Sequence, residues 1–326
     1  MKRSLALLVC VLLILSTLVV GCGKEAQPTT LKFGFGHVIS APTVTDATAD
    51  KDGSGKVDIT FAAVTVDAEG KIVACALDTA SNTVNFKADG TAVAAEFKTK
   101  YELGAGYNMV TYGGAKKEWF EQADAFETVV AGKTLAEVKA LVGEDKKGNA
   151  DVVAAGCTIM INEFVDAIEK AYNAAADSNV TAENTLKVTA ATEQTCTDAT
   201  ADKDGSNKVA TTIFAAAVDA EGKVVAASSD CIEVSFTFTT AGASTLDTTK
   251  AIASKKDQGA NYGMVAYGGA AKEWFEQAAA FDAACIGKTA TEIAALVGTD
   301  GKGVADVQAA GCTIYVTGFV KAASKI

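Results

Sequence analysis

The chain repeats itself, and the repeat limits its architecture more than any other feature. Residues 107–126 read YNMVTYGGAKKEWFEQADAF and residues 262–281 read YGMVAYGGAAKEWFEQAAAF, identical at sixteen of 20 positions at an offset of 155. GKT recurs at Gly132 and Gly287, and ADVVAAGCTI from Ala150 returns as ADVQAAGCTI from Ala305. DATADKDGS begins at Asp46 and again at Asp198, an offset of 152. A period this long marks a duplicated domain rather than a solenoid, because about 150 residues can close a core of their own. The expected domains are residues 31–178 and 186–326, joined by a linker at 179–185 inside the polar stretch DSNVTAEN.

Each unit changes period partway along. Val57 to Val66 is rich in β-formers, Asp67-Ala68-Glu69-Gly70 signals a turn, and Lys71 to Leu77 resumes the strand pattern. That predicts a β-hairpin with Gly70 at positive φ, and Val84 to Phe86 predicts a third strand. Lys116 to Val130 then switches to helical spacing, with Trp119, Phe120, Ala123, Phe126 and Val130 on one face. Thr134 with Glu137, and Thr289 with Glu292, form capping boxes; Gly143 and Gly298 stand where glycine C-caps belong. A last helix is predicted from Glu163 to about Ala175. A hairpin sheet followed by helices implies an α+β fold.

Met1, Lys2 and Arg3 precede an apolar run from Leu5 to Val20 that ends in Gly21-Cys22. This resembles a bacterial lipobox. The resemblance implies a lipoprotein signal peptide over residues 1–22, a lipid (palmitate-bearing) anchor on Cys22, a flexible tether over 23–30, and a place on the extracytoplasmic face of the cell membrane. The net charge of −11 opposes binding to nucleic acid. With His37 as the sole histidine, neither a His-based metal site nor a Ser-His-Asp triad is expected. DKDGSG from Asp50 and DKDGS from Asp202 resemble half of a calcium loop, but Phe61 and Ile213 occupy the position of its final glutamate. No metal ligand is assigned.

The hairpin VTVDAEGKIV, the block GKTLAEVKAL and the closing TIMINEFVDAIEKA resemble the FMN-binding domain family of envelope flavoproteins. The resemblance implies two tandem copies of an FMN-binding-like domain. In that family a Ser-Gly-Ala-Thr motif carries FMN esterified to its threonine by a flavin transferase. Here Ala155-Gly156-Cys157-Thr158 and Ala310-Gly311-Cys312-Thr313 stand at the motif. Glycine and threonine are kept; serine is replaced by alanine, and alanine by cysteine. The implied cofactor is FMN, held covalently through Thr158 and Thr313, with envelope redox partners.

A phosphoester acceptor needs an exposed hydroxyl on a turn that lets backbone approach the phosphate, which Gly156 and Gly311 permit. The start of the last helix near Asn162 and Glu163 would add positive dipole. Tyr107, Met109, Tyr112 and Trp119, with Tyr262, Met264, Tyr267 and Trp274, are either walls for a flavin ring or core residues. Cys157 and Cys312 are either redox thiols or small buried side chains. Cys196 and Cys231 occur only in the second unit, where the first has Val44 and Thr79, and flank its hairpin; a disulfide between them is expected. No GxSxG or HExxH occurs and no catalytic residue is assigned. The expected function is a flavin-based electron carrier rather than a stand-alone enzyme. The alternative is a non-redox surface lipoprotein that uses the same fold to bind a ligand or partner.

Overall fold

A computed structural model of the chain describes residues 29–326; the expected signal peptide, Cys10, Cys22 and most of the expected tether lie outside the described residues. The first half contains β1 (Leu31–Ile39), β2 (Thr43–Thr45), β3 (Gly53–Val66), β4 (Ile72–Phe86) and β5 (Ala92–Val93). Then come α1 (Lys100–Leu103), α2 (Trp119–Val130), α3 (Leu135–Lys139), α4 (Ala150–Ala155) and α5 (Asn162–Asn173), closed by β6 (Ala176–Val180). The second half repeats the plan with β7 (Thr185–Thr197), β8 (Gly205–Val218), β9 (Val224–Phe238), α6 (Lys255–Gln258), α7 (Trp274–Cys285), α8 (Ala290–Ala294), α9 (Ala305–Ala309) and α10 (Thr317–Ala323). The fold is α+β, with two antiparallel sheets ordered β5-β4-β3-β1-β6 and β7-β8-β9.

The expected hairpin forms, with Gly70 at φ 77°. The predicted third strand does not separate: β4 runs unbroken to Phe86 because it pairs with β3 along its full length. Both capping boxes close. Gly143 and Gly298 are not the C-caps, since α3 and α8 end at Ala140 and Ala295 and the glycines open the turns beyond. The expected linker at 179–185 is also corrected. Residues through Val180 form β6, which extends the first sheet beside β1, and only 181–184 lie between strands.

The two halves do not keep separate cores. Successive side chains of a strand point to opposite faces. On β3, Ala62, Val64 and Val66 face the helices, while Val57, Ile59, Phe61 and Ala63 face the other sheet. There they meet Val209, Ile213, Ala215, Ala217, Ile232 and Phe236 of the second half in one shared core. Helices cover the outer face of each sheet, giving four layers: helix, sheet, sheet, helix. The continuous apolar runs FAAVTV and IFAAAV follow, because both faces of β3 and β8 are buried.

The junction is a pseudo-twofold. Ala47 N–H donates to Gly242 O at 2.8 Å, and its counterpart Ala199 N–H donates to Gly90 O at 2.8 Å. Ser244 N–H reaches Asp46 Oδ1, and Ala92 N–H reaches Asp198 Oδ1, each at 2.8 Å. Phe86 stacks on its counterpart Phe238, centroids 4.4 Å apart and planes 3° from parallel. A Cβ at Gly53 or Gly205 would collide with these rings. The glycines of the two calcium-like segments are therefore packing positions at the starts of β3 and β8. Such reciprocity is the signature of an isologous interface, here inside one chain.

Candidate functional site

The duplicated block forms a clasp around the Gly-Cys-Thr turn. Glu118, at the N-cap of α2, accepts from Met109 N–H (2.9 Å) and Val110 N–H (3.2 Å) with its two oxygens. Glu273 does the same for Met264 (2.9 Å) and Val265 (3.1 Å). Each carboxylate thus ties the segment before its Tyr-Gly-Gly-Ala turn to the start of the helix that follows. One turn into α2, Gln122 is buried and fully bonded. Its Nε2 donates to Lys117 O, and its Oε1 accepts from Thr158 N–H (2.9 Å) and Thr158 Oγ1–H (3.0 Å). Gln277 holds Thr313 identically, at 2.9 Å to both groups.

Thr158 and Thr313 are exposed, each behind a left-handed glycine, Gly156 at φ 108° and Gly311 at φ 102°. The Lys117 ammonium donates to Ala155 O and that of Lys272 to Ala310 O, both at 3.4 Å, so each turn carries a cation over its glycine. The first turns of α5 and α10 have no side-chain cap. A cavity of about 260 Å³ reaches Ile159, the residue after Thr158; Trp119, Met160 and Phe164 line it together with the polar Asp58, Thr60, Thr79, Lys146, Asn162 and Glu163.

The other predicted residues divide. Trp119 and Trp274 are 3% and 4% exposed and belong to the cores, each against a phenylalanine of the last helix. Tyr107 and Tyr262 are half-buried, packing against the cores with a lysine ammonium over each ring, Lys100 and Lys255, at 5.3 Å. Met109 and Met264 also pack on the cores. Tyr112 and Tyr267 project into solvent at 85% and 92% exposure.

Cys157 and Cys312 are buried, and burial pushes both thiols up, Cys312 to about 11. They are inert small core residues by this chemistry rather than redox thiols. The expected Cys196–Cys231 disulfide is absent; both are free. Cys196 lies on β7 opposite Asn207, and Cys231 lies on β9 opposite Thr212. β8 stands between them, so they are about two strand spacings, ~9.5 Å, apart laterally, beyond the ~7 Å a disulfide spans.

Sequence reading missed Gln122, Glu118 and Lys117 with their partners Gln277, Glu273 and Lys272. The available signal was their identity in both repeats within KEWFEQ. Gln122→Ala is expected to cost about 1–3 kcal/mol, measured by chemical denaturation, because it strands the Thr158 amide. No family model matches the chain, and the comparisons with curated proteins and with solved structures likewise gave no match.

Proposed function

We propose that the protein is an extracytoplasmic lipoprotein, tethered through Cys22, whose Thr158 and Thr313 accept the phosphate of FMN and which carries electrons between envelope redox partners. One observation carries this reading: both halves present an exposed threonine hydroxyl behind a left-handed glycine, with a lysine ammonium on the adjoining carbonyl. The donor set suits a phosphate. The Lys117 or Lys272 ammonium, packed over Gly156 or Gly311, would offset its charge, and the uncapped helix start adds dipole. The cavity that opens at the neighbouring Ile159 offers Trp119, Met160 and Phe164 as apolar surface among polar and charged groups. FMN, when bound, would supply one- and two-electron transfer. The chain's own task is to orient the hydroxyl through Gln122 or Gln277 and to exclude water from the buried side of the turn.

A second reading has its own support. Both threonine hydroxyls already have an internal acceptor, and the tryptophans serve the cores. These features suit a non-redox surface module with the same fold. Intact mass and in-gel flavin fluorescence, on protein made in a host with a flavin transferase, separate the two. The carrier reading expects an FMN adduct that disappears in Thr158→Ala with Thr313→Ala. A colourless protein of unmodified mass beyond its lipid would establish the non-redox module instead.

A further inference from the structure

The pseudo-twofold is broken at one place. His37 on β1 lies opposite Phe61, and the ladder position matching it in the second half is Ala190, opposite Ile213. His37 is 4% exposed and turns toward two carboxylates of the other half. Its Nδ1 is 3.7 Å from Asp230 Oδ2, and its Nε2 is 3.5 Å from Asp257 Oδ2. Nε2 makes no hydrogen bond, although it is fully buried. A buried ring nitrogen without a partner is costly and calls for a ligand.

We propose that His37, Asp230 and Asp257 bind one divalent first-row transition ion at the junction of the two halves. One ligand atom from each lies within 4.8 Å of the others. Donors around a tetrahedral ion with bonds of ~2.1 Å sit roughly 3.4 Å apart, so the shell closes when Asp230 Oδ2, now nearest Nδ1, turns toward the Nε2 side that Asp257 faces. Two carboxylates neutralise a dication and also accept manganese, and the imidazole favours zinc over calcium or magnesium.

The supporting residues are already in place. Asp230 Oδ1 accepts from Cys231 N–H (2.7 Å) and Lys256 N–H (3.0 Å), which fixes the carboxylate with Oδ2 toward His37. Asp257 occupies the third position of α6. Its counterpart Glu102 reaches back to Thr99 N–H and closes a capping box. Asp257 is one methylene shorter, no such box closes, and its carboxylate faces His37.

The mirror position argues for a cation. There Lys325 places its ammonium 2.7 Å from Glu102 Oε1 and 2.6 Å from Ala190 O. One of the two related acidic sites therefore holds the chain's own cation, and the other holds an imidazole with an unused nitrogen. A cleft of about 920 Å³ borders the histidine site and leaves the remaining coordination positions accessible. Lys170 and Lys256 also line this cleft; the Lys256 ammonium donates to Ser228 Oγ at 2.8 Å. Both cations would favour an anion as a further ligand of the ion.

The test is Mn²⁺ binding to the full-length chain, followed by loss of the free-ion electron paramagnetic resonance signal, with Zn²⁺ as competitor. Mn²⁺ discriminates against the free thiols as alternative ligands. One site per chain is expected. His37→Ala, which matches the residue of the mirror position, and Asp257→Asn should each weaken binding at least about tenfold. Glu102→Gln should leave it unchanged. Thermal melts confirm that each variant is folded, and His37→Gln replaces any that is not. Absence of saturable Mn²⁺ and Zn²⁺ binding, or binding that survives both substitutions, overturns the proposal.

Discussion

The second half expressed alone, residues 185–326, should not fold to a soluble monomer. Its inner sheet face carries Val209, Ile213, Ala215, Ala217, Ile232, Val234 and Phe236, all buried against the first half. Leaving four or five large apolar side chains in water forfeits roughly 1.5–3 kcal/mol each, so the total is on the order of 10 kcal/mol. That equals the entire stability of an ordinary domain. Polar bonds across the junction are lost as well, including Asn82 Nδ2–H to Thr211 Oγ1 (2.8 Å) and Asn207 Nδ2–H to Asn85 O (2.7 Å). The isolated half should aggregate, or pair with itself in imitation of the pseudo-twofold. Co-expression with residues 29–184 should restore one cooperative melt. Size-exclusion chromatography with circular dichroism decides; a monomeric half with a cooperative transition would refute the shared core.

Stability should rise as the pH falls from about 8 to about 5. Four carboxyls have folded pKa values held above the ordinary range, chiefly by burial: Glu127 at about 8, Asp78 at about 7, Asp282 at about 6, and Asp230. Each binds its proton more readily folded than unfolded. Its contribution is therefore complete below the unfolded pKa and is lost as pH rises through the folded one. Glu127 is half-buried and screened by solvent, and the Asp124 and Asp78 carboxylates add to its rise. The combined gain is on the order of 4 kcal/mol, read by urea denaturation at several pH values. Below about pH 4 the trend reverses, because Glu233, paired with Lys208 and Lys255, has a lowered pKa and loses its stabilisation on protonation. Glu127→Gln keeps an oxygen for the Leu77 amide, bonded at 2.6 Å, and should flatten the upper part of the profile. An unchanged profile would place the source elsewhere.

What a short window of residues controls was legible in the sequence. The turn at Gly70, the capping boxes at Thr134 and Thr289, and the apolar stripe of α2 depend on neighbours within one or two turns. The duplication was visible as identity alone, and so was the exposed threonine behind a glycine. The clasp by Gln122 was hidden because its partner lies 36 residues away.

The sequence by itself determined two copies of one strand-then-helix unit, since local periodicity and capping need no distant partner. Only the tertiary structure decided that the copies merge. FAAVTV reads the same whether its second face meets helices, solvent or another sheet. It also decided that Cys196 and Cys231 stay apart across β8. The same holds for the pairing of His37 with Asp230, nearly two hundred residues onward. In the first half three residues, 40–42, lie opposite two of β3, a bulge containing Pro42. Because a one-residue shift sends every strand side chain to the opposite face, that bulge sets which residue of β1 meets the other half.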